Sequence, residues 1–181
     1  MITLVIGKQD CGKSAFAEKL ASFGDPSGLY YIATMKVVDE DGEKRRDKHV
    51  RMREGLGFET LEIPCRIDAA PDLMRNPERC TVLLECVANL VANIMHEPEW
   101  KGRIKCADSE SGDEFVRQVI SLIRDLAGQV GHLFVVTSEY DAEGADDETA
   151  LYIGLLDAVN GRLARIADEV YTQDDIGKDN D

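Results

Sequence analysis

The stretch GKQDCGKS, residues Gly7–Ser14, fits the template G-x-x-x-x-G-K-[S/T]. It follows the apolar run ITLVI, which is typical of a buried strand, and precedes KSAFAEKLASF, where Phe16 and Leu20 are four residues apart, as on one face of a helix. A glycine-rich turn in this position lets backbone N–H groups surround a phosphate at the positive end of the helix. Chance produces such a match about once in a hundred chains of this length. The stretch therefore predicts a nucleotide-binding loop.

Each position of this loop has a chemical role in the prediction. Gly7 and Gly12 allow backbone dihedrals and a close approach that a Cβ atom would forbid. Lys13 is expected to act in catalysis by reaching the β- and γ-phosphates, and the Ser14 hydroxyl is expected to ligate Mg²⁺. The nucleotide contacts expected from the loop are Gly7, Lys8, Gln9, Asp10, Cys11, Gly12, Lys13 and Ser14.

Length and charge limit the class of protein. The 181 residues are the size of one domain, which we place at 1–173, with a frayed acidic tail over 174–181. The net charge of -14 predicts no nucleic-acid partner and no membrane partner, because an acidic surface repels phosphate backbones and anionic lipid. Five scattered cysteines without zinc spacing predict a reduced, cytoplasmic protein. The first apolar run is too short for a signal peptide or a membrane span.

Strand-like and helix-like segments alternate along the whole chain. This alternation predicts an α/β fold with a mainly parallel sheet flanked by helices. The run CTVLLECV is apolar on both faces, as central parallel strands are. The predicted strands are 2–6, 29–35, 58–63, 80–87, 132–140 and 169–173, and the predicted helices are 13–23, 39–55, 66–74, 88–96, 114–128 and 147–167.

Two glutamates close predicted strands at the edge where ligands bind in open α/β sheets. Glu85 ends TVLLE, and Glu139 follows HLFVVTS. A phosphate-binding loop needs a carboxylate on a neighbouring strand to hold Mg²⁺. We therefore predict that Ser14 and Glu85 form the metal site, with Glu139 as a second candidate carboxylate. The alternative is that each glutamate simply meets solvent at the end of its strand.

A run of cations surrounds one histidine. Six of the 21 basic residues lie within ten positions around His49, namely Lys44, Arg45, Arg46, Lys48, Arg51 and Arg53. One interpretation is a solvated helix face, which charge runs usually form. The other is a phosphate-gathering patch, in which neighbouring cations keep the imidazole neutral and nucleophilic. His96 and His132 have no such neighbourhood and are predicted to be ordinary surface or helix-end residues.

These segments, taken in order, resemble the bifunctional adenosylcobinamide kinase/adenosylcobinamide-phosphate guanylyltransferases of cobalamin biosynthesis. The opening ITLVIGKQDCGKSAFAEKLA is similar to the family's strand, P-loop and helix. TVLLECVANLVANIM resembles the strand that carries VLLEC, and VNGRLARIADEVY resembles the terminal VNQRLAxxADEVY. RDKHVRMREGLGFETLE matches the R-x-x-H segment in register, so that the family's Arg, His, Trp, Thr and Glu fall on Arg46, His49, Phe58, Thr60 and Glu62.

The resemblance, which spans residues 1–172, implies a RecA-like P-loop NTPase fold and trimers with sites between subunits. It also implies two uses of nucleotide. ATP or GTP, with Mg²⁺, phosphorylates the aminopropanol hydroxyl of adenosylcobinamide, and GMP is then transferred from GTP to that phosphate through a covalent guanylyl-histidine, here His49. Outside the loop, the implied nucleotide contacts are Thr34, Val50, Arg51, Met52, Arg53, Glu62 and Glu85.

Two segments depart from the family pattern on the substrate side. Glu54-Gly55 stands where the family has Arg-Pro, and after Glu139 the chain is shorter and has acids where the family has arginines. Three hypotheses therefore stay open. The chain is the bifunctional enzyme, a divergent P-loop NTPase or kinase without the corrinoid substrate, or a non-catalytic nucleotide-binding or assembly protein that uses its acidic 141–148 loop as a partner surface.

Overall fold

A six-stranded parallel sheet forms the centre of the molecule. The computed structural model describes residues 1–24, 28–36, 40–52 and 55–177, without the side chains at 40, 41, 45, 48, 49 and 52. Within these ranges the strand order is β3-β2-β4-β5-β1-β6, and every pair is parallel. The strands are β1 Ile2–Lys8, β2 Leu29–Ala33, β3 Glu59–Glu62, β4 Thr81–Glu85, β5 His132–Glu139 and β6 Glu169–Tyr171. The predicted α/β fold is confirmed.

Helices alternate with these strands. The α-helices are α1 Lys13–Ala21, α2 Glu40–Met52, α3 Val87–Met95, α4 Glu110–Ala127, α5 Asp147–Ile166 and α6 Gln173–Ile176. The helix predicted over 66–74 is instead a 3-10 segment, Ile67–Leu73. Pro71 lies inside it and has no N–H to donate to an α-helical ladder. A second 3-10 segment covers Pro77–Arg79.

The sheet has apolar layers on both faces, because parallel strands alternate two buried sets of side chains. Residues such as Leu4, Leu84 and Val135 face the cluster that contains the inner sides of α3, α4 and α5. Val5 and Leu83 face a smaller cluster on the opposite side, built with α1 and α6. None of the helices in the described ranges combines the length and the apolar character that a bilayer crossing requires.

The segment predicted as a frayed tail from residue 174 is folded at its start. Thr172 and Asp175 form a reciprocal capping box, so the short helix α6 begins with satisfied backbone donors. Ile176 is 3% exposed and packs in the α1-side cluster. The prediction failed here because a single apolar residue among acids leaves no visible periodicity.

Ile176 is expected to contribute measurably to stability. Replacing it with Ala should lower the free energy of unfolding by about 2–4 kcal/mol, because a buried aliphatic side chain leaves a cavity. Urea denaturation measures this. Leu73→Ala is the control, since Leu73 is 61% exposed and its loss should change the value by no more than about 0.5 kcal/mol. Equal effects of the two variants would contradict the packing of α6.

The strand order fixes where a ligand can bind. From β1 the chain passes through α1 to β2, and β5 and β4 lie between these two strands in the sheet. From β5 the chain passes through α5 to β6, which lies on the opposite side of β1. The direction of the connections therefore reverses at β1 and β5, and ligands of open parallel sheets bind at such a switch point, outside the carboxyl ends of the strands.

Candidate nucleotide-binding site

The loop Gly7–Ser14 lies at this carboxyl edge, between β1 and α1. Gly12 has a φ of 87°, a left-handed conformation that favours glycine, and it stands directly before the first helical residue, Lys13. A Cβ atom at Gly7 would lie 2.8 Å from Cys11 Sγ. Gly12 is therefore favoured by the backbone conformation, and Gly7 by the close approach of the Cys11 side chain. The N–H groups of the first turn of α1 open toward the space enclosed by the loop.

Lys13 spans the loop from one end to the other. Its side chain is 7% exposed, and Nζ donates a hydrogen bond to the carbonyl oxygen of Lys8 at 3.0 Å. The ammonium group is therefore held beside the loop, where a phosphate chain cradled by the backbone would lie. This position suits a cation that neutralises charge on transferring phosphate.

Ser14 and Glu85 are in contact, although β1, which leads to the loop before Ser14, and β4, which ends at Glu85, are not neighbouring strands. Ser14 Oγ donates to Glu85 Oε1 at 2.8 Å, and β5 lies between β1 and β4. A hydroxyl and a carboxylate side by side at the end of a phosphate loop form the hard-oxygen donor set that Mg²⁺ prefers. The donor chemistry fits that ion, and the metal role of the two residues stays a prediction.

Thr34 is hydrogen-bonded to the backbone at Glu85 and Cys86. It is fully buried, and its Oγ1 accepts a hydrogen bond from Cys86 N and donates to the backbone, with Cys86 O at 2.8 Å and Glu85 O at 3.1 Å. Its own N–H donates to Glu85 O at 3.0 Å. These bonds fit a positioning role for Thr34 toward Glu85, and the direct nucleotide contact implied by the resemblance stays a prediction.

Asn93 extends the same network to the third strand. Its Nδ2 donates to Thr34 O at 2.7 Å and to Pro64 O at 2.9 Å. One amide on α3 therefore ties the chain that leaves β2 to the chain that leaves β3, two residues beyond Glu62. Asn93 lies in TVLLECVANLVANIM, the stretch that resembles the family's VLLEC strand, and its sequence position indicates no role. Only the fold brings these carbonyls together.

The Cys86 thiol, next to Glu85 in the chain, is not expected to act as a nucleophile. Burial first, and then the charge of Glu85, raises the pKa of the Cys86 thiol to about 12. The thiol is therefore neutral at physiological pH and cannot compete as a nucleophile.

Thr34→Val tests the positioning role. We expect the Mg²⁺ concentration for half-maximal nucleotide turnover to rise about 10- to 100-fold, as it does when outer-shell partners of a metal site are lost. We also expect the free energy of unfolding to fall by about 1–3 kcal/mol, because Cys86 N loses its hydrogen-bond acceptor. Thr34→Ser keeps the hydroxyl and should recover the Mg²⁺ dependence. A Val variant with an unchanged Mg²⁺ dependence would argue for a purely structural role.

A small cavity lies under helix α2, outside the ends of β2, β3 and β4. Its volume is about 60 Å³, and its lining includes Arg46 and Val50 from α2 together with Glu62 and Glu85. Position 49 lies between Arg46 and Val50 in the helix, and Arg51 is exposed. The side chains of His49 and Met52 and the whole of Arg53 lie outside the described residues, so their predicted roles stay predictions.

A larger cavity of about 650 Å³ borders the other side of the loop. Lys8 and Gln9 line it together with Glu139 and Asp157, and Glu139 is level with Lys8 in the β1–β5 register. Burial first, and then the charge of Glu139, raises the pKa of Asp157. The second candidate carboxylate of the sequence therefore faces the loop from the neighbouring strand.

Neither of the two remaining histidines lines the two cavities beside the loop. His96 is the exposed C-terminal cap of α3, as expected for a helix-end residue. His132 differs from the expectation, since it is half-buried at the start of β5, with Nε2 2.8 Å from Thr3 Oγ1. Desolvation lowers the pKa of His132, so this ring is neutral at physiological pH.

The glycine loop, the buried lysine and the Ser14–Glu85 pair at the carboxyl edge of a parallel sheet define a P-loop nucleotide-binding fold. Among solved structures, one described as an ATPase domain superimposes with a TM-score of 0.53 and 14% identity, covering 94% of this chain and 68% of that one. At that identity the likeness concerns the fold alone.

Residues 3–174 match the profile of the cobinamide kinase / cobinamide phosphate guanyltransferase family, and the chain belongs to that family. A relative from Escherichia coli (strain K12), the bifunctional adenosylcobalamin biosynthesis protein CobU, is 29% identical over 182 aligned positions, which cover 94% of each chain. The resemblance inferred from the sequence motifs is confirmed.

Proposed function

We propose that this protein phosphorylates adenosylcobinamide with ATP or GTP and then transfers GMP from GTP to adenosylcobinamide phosphate, giving adenosyl-GDP-cobinamide. Family membership supports the two reactions. The structural observation that supports catalysis rather than mere binding is the 2.8 Å contact between Ser14 and Glu85 at the mouth of the loop. P-loop enzymes place a hydroxyl and a carboxylate in this way to hold the Mg²⁺ that neutralises charge on the transferring phosphate.

The loop residues would bind the triphosphate. Backbone N–H groups from Gly7 to Ser14 surround the phosphates, and Lys13 neutralises the charge that develops on the transferring group. Mg²⁺, when bound, would neutralise negative charge on the phosphate oxygens, so that they repel the attacking group less, and would polarise the bond to the leaving oxygen. Ser14 and Glu85 are the residues that would hold this ion, and Thr34 keeps Glu85 in place for it.

His49 would carry the GMP. In this step an imidazole nitrogen attacks the α-phosphorus of GTP, a P–N bond forms, and the bond to pyrophosphate breaks. A phosphate oxygen of adenosylcobinamide phosphate then attacks the same phosphorus, forms the new P–O bond and frees the histidine. Arg46 lines the cavity under α2 one helical turn before His49, where a cation stabilises the charge on phosphorus.

The guanosine would lie under α2, in contact with Glu62 and with residues Val50, Arg51, Met52 and Arg53. The cavity there, about 60 Å³, is smaller than the roughly 300 Å³ or more of typical ligand sites. We therefore infer that α2 moves away from the sheet when nucleotide enters. Assembly into a homotrimer, which the resemblance implies, belongs to this proposal as well.

The acceptor would enter the larger cavity beside the loop. Its carboxylates, Glu139 and Asp157, repel phosphate but accept a hydrogen bond from an alcohol. This lining suits the hydroxyl of adenosylcobinamide in the kinase step.

Product analysis tests the function directly. We incubate the protein with Mg²⁺, GTP and adenosylcobinamide, then separate the corrinoids and identify them by mass spectrometry. We expect adenosylcobinamide phosphate first and adenosyl-GDP-cobinamide later. Nucleotide hydrolysis with unchanged corrinoid would instead identify a divergent NTPase, and nucleotide binding without any turnover would identify a non-catalytic binding protein.

A further inference from the structure

Glu139 lies at the end of β5, directly beside the phosphate-binding loop. The register of the sheet pairs it with Lys8, the last residue of β1, and neighbouring strands are about 4.8 Å apart. The carbonyl oxygen of Lys8 accepts the hydrogen bond from Lys13 Nζ at 3.0 Å. The ammonium group that meets the transferring phosphate and the Glu139 carboxylate therefore lie on two sides of the same residue.

The same strand separates Glu139 from the Ser14–Glu85 pair. Glu85 is level with Val136 on β5, three residues before Glu139, which places Glu139 about 10 Å farther out along the strand direction. Glu139 lines the cavity of about 650 Å³, whereas Glu85 lines the small cavity under α2. The two strand-end carboxylates thus face different spaces, which favours different tasks for them.

Two other carboxylates line the larger cavity, and both are less suited to act on a group at the loop. Asp141 Oδ1 already accepts a hydrogen bond from Glu143 N at 2.9 Å. Asp157 belongs to α5 and not to a strand that adjoins β1. Burial first, and then the charge of Glu139, raises the pKa of Asp157, so the Glu139 carboxylate is felt across the cavity. Glu139 is the carboxylate held by the sheet itself next to the loop.

We propose, on the basis of the function proposed above, that Glu139 is the general base of the kinase step. Its carboxylate takes the proton of the aminopropanol hydroxyl of adenosylcobinamide. The hydroxyl oxygen forms a new bond to the γ-phosphorus, and the bond from that phosphorus to the oxygen bridging to the β-phosphate breaks. The nucleoside diphosphate leaves with the electron pair, and Glu139 later releases its proton to water.

This role is specific to the first of the two reactions. An alcohol must lose its proton to become an acceptor of the phosphoryl group. The acceptor of GMP is a phosphate ester, which is largely ionised at physiological pH because its second pKa is about 6. Glu139 is therefore expected to serve the kinase step and to contribute nothing to the binding of nucleotide, whose phosphates its negative charge repels.

Glu139→Gln tests the assignment, because glutamine keeps the size of the side chain and cannot take a proton. We expect kcat for phosphorylation of adenosylcobinamide to fall about 10²- to 10⁴-fold. The Kd for GTP with Mg²⁺, measured by isothermal titration calorimetry, should be equal or lower, because a negative charge is removed. Glu143→Gln is the matched control, since Glu143 is an exposed glutamate of the same loop that does not line the cavity. Its kcat should equal that of the wild type.

Glu139→Ala adds a readout that a merely structural role would not change. Added formate supplies a small carboxylate that enters the space left by the side chain, so it should raise kcat of the Ala variant at least about tenfold. The Gln variant, whose side chain fills that space, should not respond. Circular dichroism melting checks that both variants fold, and the Ala variant alone carries the test if the Gln variant does not.

Three outcomes overturn the inference while leaving the proposed function in place. They are a Gln variant with kcat within about threefold of an active wild type, a Gln variant whose Kd for GTP rises about tenfold or more, and an Ala variant that formate does not restore. A wild type that binds GTP but forms no adenosylcobinamide phosphate is a different result. It overturns the proposed function, and this inference with it.

Discussion

His49→Ala protein incubated with Mg²⁺ and GTP labelled at the α-phosphate is expected to retain less than about 1% of the label that the denatured wild-type chain carries. The label marks a P–N bond, and removing the nucleophile leaves no group to form that bond. His96→Ala is the matched control, because His96 is exposed at the end of α3 and lines neither cavity beside the loop. It should be labelled as the wild type is.

The stability of the adduct identifies the amino acid that carries it. A phosphoramidate of histidine should be lost in acid and survive in base, whereas an ester of serine or threonine survives acid. Label that persists in His49→Ala would rule out His49 as the carrier. No label on the wild type, with GTP binding demonstrated, would rule out the covalent step and favour a divergent NTPase.

Lys13→Ala is expected to lower kcat for phosphorylation of adenosylcobinamide by about 10²- to 10³-fold, with a smaller change in KM. The ammonium group stabilises charge that grows as the phosphoryl group transfers, and losing one such preorganised donor typically has this effect. The protein should still fold, because the only hydrogen bond described for Nζ is the one to Lys8 O.

Steady-state kinetics with Lys101→Ala as control measures the effect of Lys13. Lys101 is an exposed cation that lines neither cavity beside the loop, and its variant should match the wild type. A Lys13 variant whose KM rises while kcat is unchanged would show that the lysine only binds nucleotide. Guanylylation of His49, followed separately with labelled GTP, shows whether the two reactions share this lysine.

Much of the fold could be predicted because the four central strands, β1, β2, β4 and β5, are buried on both faces. β4 and β5 are continuous apolar runs that end in a glutamate, and the glycine template marks the turn from β1 to α1. Chain order alone cannot give the order of strands in the sheet. The chemistry of P-loops predicted that Ser14 and Glu85, 71 residues apart, come together, but the strand arrangement that brings them into contact is visible only in the structure.

The features that sequence reasoning missed depend on single polar groups. The resemblance gave Thr34 a nucleotide contact, but no pattern indicated that its hydroxyl binds the peptide N–H that follows Glu85. Helix α4 begins four residues before its predicted start, because Ser109 accepts a hydrogen bond from Gly112 N and caps it. Such bonds have no periodicity, and each needs a partner that only folding provides.

Because β5 lies between β1 and β4, the P-loop is difficult to graft onto another protein. Ser14 meets Glu85 across two strand spacings, about 10 Å in all, so the fit depends on the twist of three strands and on the helix that crosses them. A loop grafted onto another scaffold would keep its glycines and its lysine but lose the distant carboxylate. An engineer who wishes to move this chemistry must therefore move β1, β5, β4 and α1 as one block, with Thr34 beneath them.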